Sequence, residues 1–196
     1  TTEPGDGDVV EPDNKSTAKV VPSDAPRPLQ FQGLTPGRSS ATDLKDKFGA
    51  AQAESQENGV ETLTFQLGPF QQVKVGVSDK IVRSIQVSFK ETYAPQDMAN
   101  QLGIDQFKAV VVRDAQGVET GRVYPERGAT LLYVHKSDPV QVKQLILEPI
   151  SPVPFLQRAQ ENKLSHFQAA LDDLSQVQRL DPNNEEAHAM EARILL

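Results

Sequence analysis

FQAALDDLSQVQRLDPNNEEAHAMEARILL, residues 167–196, reads as two amphipathic helices and the turn between them. Phe167, Ala170, Leu171, Leu174, Val177 and Leu180 recur every three or four residues and so fall on one stripe of a helix. Asp181, Pro182, Asn183 and Asn184 stop it, because Pro182 disfavours helical geometry at Asp181 and itself suits a first turn. Asn184 is a good N-cap for a helix over Glu185–Leu196, and Glu185 and Glu186 suit that helix's positive end. Upstream, Phe155–Leu164 is predicted as a further helix, with Pro154 at its start and Ser165-His166 at the turn. The unit is helix, turn, helix, turn, helix.

This spacing resembles the tetratricopeptide repeat family, whose period of about 34 residues closes on a proline. With Pro182 as that proline, Ala170 falls on the alanine of the second helix, Leu174 four residues on, and Ala192 on the small residue of the next first helix. The earlier helix departs from the pattern: Arg158 stands where a small residue is usual, Glu161 and Pro154 where aromatics are usual. The first unit is therefore expected to be a capping or degenerate repeat. The resemblance implies a groove for a protein or peptide partner, lined mainly by first helices, onto which Asn162, Lys163, Glu186, Ala189 and Arg193 map. The family's peptide-carboxylate clamp is not reproduced. The competing reading is an ordinary helical hairpin packed on the preceding domain. Such repeats stack in threes or more, and Ile194-Leu195-Leu196 is an apolar run. Residues 151–196 are accordingly expected to be truncated from a longer array, with a homodimer through the C-terminal helix as a further expectation.

Residues 29–150 say the same thing twice, in copies of about 33–92 and 93–150. TDLKDKFG (Thr42–Gly49) parallels QDMANQLG (Gln96–Gly103); both read as short helices ending at glycine C-caps. GVETLTFQL (Gly59–Leu67) parallels GVETGRVYP (Gly117–Pro125), QQVKVGV (Gln71–Val77) parallels ATLLYVH (Ala129–His135), and KIVRSIQVSF (Lys80–Phe89) parallels VQVKQLILEP (Val140–Pro149). Val73, Val75 and Val77 alternate with Lys74 and Gly76, the pattern of strands with one wet face. KAVVVRD (Lys108–Asp114) adds a continuous apolar run suited to an interior strand. The predicted fold class is α+β: a duplicated two-layer domain of helix plus antiparallel meander, about seven strands in all, followed by the all-α tetratricopeptide-like segment. QGLTPGRSSATDLKDKFGAAQ, from Gln32, resembles the opening of small bacterial outer-membrane-assembly lipoproteins and of tandem beta-lactamase-inhibitor-protein folds. That resemblance implies a protein-binding domain without an active site.

Residues 1–28, TTEPGDGDVVEPDNKSTAKVVPSDAPRP, hold five prolines and no aromatic residue and are predicted to be a disordered, acidic, Pro-rich linker. The net charge of −7 divides as −3 over residues 1–30, −1 over 31–150 and −3 over 151–196. No segment forms the basic stripe that a phosphate backbone requires, so neither nucleic acid nor an anionic membrane surface is expected as a partner. The chain has no cysteine, which excludes disulfides and thiolate chemistry, and no apolar run of about 18 residues, so membrane insertion is not expected.

Catalytic candidates are sparse. His135, His166 and His188 show no metal-ligand spacing, and G-x-S-x-G does not occur. No catalytic residue, metal or cofactor is expected. TPGRSS (Thr35–Ser40) is open to two readings, an anion site at a helix N-terminus or plain helix entry. In VYPERGATLLY, Arg127 is a candidate anchor for a partner carboxylate, against a hairpin tip carrying an Arg-Glu surface pair. These observations predict a non-enzymatic adaptor or scaffold that binds protein partners, with partner-binding residues Arg127, Asn162, Lys163, Glu186 and Arg193. The alternatives are an inhibitor-like or assembly factor gripping one protein through the sheet, and a hydrolase of unknown type. The lipoprotein-like opening and the linker point to a bacterial extracytoplasmic location, periplasmic or membrane-tethered, with a cytoplasmic one as the alternative.

Overall fold

The computed structural model describes residues 26–196. The linker expected at 1–28 lies outside the described residues apart from its last three. There the chain already runs along the sheet: the Arg27 amide donates to Glu126 and the Leu29 amide to Arg127.

The first half is α1 (Ala41–Phe48) followed by β1 (Ala53–Glu57), β2 (Val60–Phe65), β3 (Phe70–Ser78) and β4 (Ile81–Tyr93). The second is α2 (Pro95–Leu102) followed by β5 (Val110–Arg113), β6 (Glu119–Tyr124), β7 (Ala129–Tyr133) and β8 (Val142–Leu147). All pairings are antiparallel, and the spatial order β1-β2-β3-β4-β8-β7-β6-β5 makes one eight-stranded sheet in which two meanders meet at their last strands. Three helices follow: α3 (Pro152–Asn162), α4 (Phe167–Leu180) and α5 (Glu185–Leu195).

The alternation seen in sequence sets the core face. Val73 pairs with Val87, Val87 with Leu145 and Leu145 with Leu131, while Val75 pairs with Ile85 and Ile85 with Leu147. All are buried, and Leu34, Leu44, Met98, Ala99 and Ile104 from α1, α2 and their flanks join the same cluster. Each such side chain contributes roughly 1.5–3 kcal/mol on burial, so the row crossing four strands holds the two halves together. Phe31, Phe48 and Phe65 extend it through edge-to-face contacts at 5.3–6.1 Å.

The eighth strand, β1, was not legible in the apolar pattern because all five of its residues, AESQE, are exposed. It is held by backbone pairing to β2 across a two-residue turn, Asn58-Gly59, in which both residues have positive φ (51° and 77°). Asn-Gly supplies that primed turn at low cost, and its acids blunt an open edge.

Helix α1 starts at Ala41, one residue before the predicted Thr42–Gly49 segment, and its N-cap is Ser40. Ser40 Oγ accepts from the Asp43 amide at 3.1 Å and the Ser40 amide donates to Asp43 Oδ2 at 2.7 Å, a reciprocal capping box. Those bonds, backbone first and hydroxyl second, hold the exposed Asp43 carboxyl below its usual range. A folded-state pKa below the unfolded one means this support is present above the ordinary carboxylate pKa of 3.8 and is lost as pH falls through the folded value. Residue-resolved NMR titration is expected to show Asp43 returning toward 3.8 in Ser40→Ala.

Candidate functional site

Helices α3, α4 and α5 close over a second, smaller core of Phe155, Ala159, Ala170, Leu174, Val177, Ala187 and Met190. Asn184 caps α5 by accepting from the Ala187 amide at 3.0 Å, at the residue the sequence indicated. Between the end of α3 and α5 lies a groove of about 620 Å³. Lys163, Glu186 and Arg193 line it with Leu164, Phe167 and Met190. Two cations and one anion thus stand around an apolar floor, and Leu164 and Phe167 remain 92% and 62% exposed at its rim.

Asn162 is not in this set. It turns inward, 4% exposed, and its Oδ1 accepts from Lys108 Nζ at 2.8 Å, across to the sheet domain. The reason sits one turn earlier. Arg158 is 6% exposed, with Nε 3.0–3.1 Å from both Asp173 oxygens and Nη2 2.6 Å from Asp173 Oδ1. The same guanidinium donates to Glu126 Oε1 and to the Lys108 carbonyl. Arg158 thus joins α3 and α4 to the sheet domain. Burial alone would pull the Arg158 pKa down, but its bonds to Asp173 and Glu126 outweigh that and hold it above the usual range. Burial pushes the Asp173 carboxyl up, and Arg158 offsets only part of that rise.

Arg127 and Glu126 do not form the hairpin-tip pair expected from their adjacency. Pro125–Arg127 is a 3₁₀ turn; Glu126 is taken by Arg158, and Arg127 lies over the Phe107 ring at 4.6 Å while its Nη1 donates to the Arg27 carbonyl at 3.4 Å. Arg127 is therefore remote in role from the groove: it clamps the incoming N-terminal strand of chain.

Elsewhere, His135 is 4.0 Å from Asp114, His188 Nε2 is 2.9 Å from the Pro182 carbonyl, and His166 precedes α4. Among the described residues no three His, Cys, Asp or Glu side chains gather at metal-binding distance. Tyr133, 4% exposed, has a hydroxyl without a protein hydrogen-bond partner, and burial raises its pKa to about 12, with Arg122 opposing. The folded state holds this proton more tightly than the unfolded chain, so stability is expected to fall as pH rises from 10 to about 12. A phenolate absorbance titration is expected to show a tyrosine ionising only near unfolding; all three titrating near pH 10 in native protein would refute the burial argument.

No protein-family model matches the chain, and no curated protein matches it. Among solved structures, a cysteine-rich secretory protein of Staphylococcus aureus is similar at 12% identity and a TM-score of 0.40, over 63% of this chain and 46% of that one. A DUF4309 family protein of Bacillus subtilis is similar at 20% identity and a TM-score of 0.40, over 64% and 88%. An extracellular protein containing an SCP domain, from Bacillus anthracis, is similar at 11% identity and a TM-score of 0.37, over 78% and 64%. The chain thus spans about half of the first and under two thirds of the third. None of the three is described as a tetratricopeptide or inhibitor-type protein. At these TM-scores the likenesses carry neither fold nor function to this chain.

Proposed function

We propose that the protein is a non-enzymatic adaptor that holds a peptide or helix of a partner in the groove between α3 and α5. One observation carries the reading: Lys163, Glu186 and Arg193, spaced over 31 residues of sequence, line one groove with an apolar floor. An apolar side chain from the partner would fill the floor, and a flanking carboxylate would meet Lys163 or Arg193. The tetratricopeptide-like character of α3–α5 belongs to this reading and rests on the Ala170, Leu174, Pro182 and Ala192 register.

Peptide display against the full chain tests it. Selected peptides are expected to pair an apolar residue with an acid, and the charge reversals Lys163→Glu and Arg193→Glu together are expected to weaken them on the order of tenfold or more without altering the circular dichroism spectrum. Selected binding that survives both reversals would place it elsewhere.

A second reading draws on the sheet. Its non-core face presents Thr62, Ser84, Gln86, Ser88, Thr130 and Gln144 by register, with Lys74 beside Gln86, a polar face suited to gripping one protein surface. The two halves are read as an internal duplication, supported by their identical order of helix and four-stranded meander. A bacterial extracytoplasmic location belongs to the same proposal; no described helix is long and apolar enough to cross a membrane. A reporter fusion of the whole gene active only in the cytoplasm would overturn it.

A further inference from the structure

A separate cleft of about 360 Å³ lies where the TPGRSS turn, the end of β8 and the end of α4 converge. Arg38 and Arg179 line it, with Pro36, Pro149, Ile150 and Leu180 as walls, and Pro26 and Pro28 complete it from the N-terminal side. In a chain with 27 acids to 20 bases, no acid among the described residues lines this cleft. Neither arginine makes an ion pair among the described residues; the Arg179 guanidinium meets only the Gln176 side chain.

The walls are built to stay in place. The Gly37 amide donates to the Val82 carbonyl at 2.7 Å, the Arg38 amide to the Thr35 carbonyl at 3.1 Å, and the Thr35 amide to Ser39 Oγ at 3.0 Å. Gly37 has φ +78°, and a Cβ there would stand 3.1 Å from Pro149 Cγ, so the turn is packed tightly against the end of β8. Arg38 thus projects from a pinned turn and Arg179 from the last turn of a helix, and ordering the binding surface costs little.

We propose that this cleft binds an extended peptide segment carrying carboxylates. Guanidinium groups are matched to carboxylate geometry, and two of them with no anion beside them among the described residues make the cleft selective for an acidic ligand. The proline rings, Ile150 and Leu180 offer apolar contact along a chain, which a free inorganic anion would not use. TPGRSS therefore acts through its arginine and its proline, not through the N-terminus of α1. The site shares no residue with the groove between α3 and α5.

The test uses the full chain and a fluorescein-labelled peptide, Glu-Pro-Glu-Glu-Pro, followed by anisotropy, with Gln-Pro-Gln-Gln-Pro and inorganic phosphate as the other ligands. Saturable binding of the acidic peptide is expected, weakening with ionic strength. Arg38→Gln and Arg179→Gln are each expected to weaken it on the order of tenfold. Both arginines are exposed, so the fold is expected to survive their loss. Absence of saturable binding, equal binding of the glutamine peptide, binding of phosphate but not of peptide, or full binding by the double arginine variant would each overturn the proposal.

Discussion

Arg158→Ala is expected to cost about 3–5 kcal/mol, among the largest losses available to a single substitution in this chain. The change removes more than a side chain. It strands Asp173, whose side chain is 6% exposed, and Glu126, at 13%, as buried anions without their cation, and it frees the Lys108 carbonyl. Urea unfolding of the variant against the parent measures the loss. Two further results follow from the same physics. With Arg158 absent, burial raises the Asp173 carboxyl without opposition, so the folded state favours its protonated form. A raised folded pKa in a carboxyl means stability is regained as pH falls through that value, so the deficit is expected to shrink toward pH 4. Replacing all three groups by apolar residues of similar size, Arg158→Met, Glu126→Leu and Asp173→Leu, is expected to recover most of the loss, because no charge then remains buried. A single variant within about 1 kcal/mol of the parent would show that the cluster does not hold the helices to the sheet.

Phe155→Ala is expected to be of similar size, about 3–5 kcal/mol, for a different reason. Phe155 is fully buried and is the largest side chain of a core that is otherwise alanines, one leucine, one valine and one methionine. So few neighbours cannot collapse into the space it leaves, and the cavity term is felt in full. The spectroscopy separates local from global failure. The chain has no tryptophan and three tyrosines, and Tyr93, Tyr124 and Tyr133 all lie in the sheet. Tyrosine fluorescence therefore reports the sheet alone, while ellipticity at the helical band reports mainly α3–α5. In Phe155→Ala the helical signal is expected to melt first, with the tyrosine transition close to the parent's. Coincident transitions would show that the two cores unfold as one unit.

The helices α4 and α5, the Asn184 cap and the alternating strands β3 and β4 could be read from single residues, because each depends on a local period or a local cap. Glu186 and Arg193 share a face of α5 by helical register, and Lys163 at the end of α3 lines the same groove. Strand β1 carries no apolar signal; its only mark in the sequence is Asn58-Gly59, a hairpin turn that reads as a loop without its partner strand. The repeat register puts Asn162 on the groove, whereas the burial of Arg158 turns that end of α3 toward Lys108.

Composition, period and caps by themselves determined the α+β class, the helix-then-meander order and the C-terminal helical segment, since these follow from side chains a few positions apart. The tertiary structure alone decided that the two meanders join at β4 and β8, that Glu126 serves Arg158 and not Arg127, and that Arg38 and Arg179 line one cleft. Each of those joins residues between about 30 and 140 positions apart in the chain. No local propensity encodes such a meeting; it follows from how the apolar faces bury one another, and the charges are then left where that packing puts them.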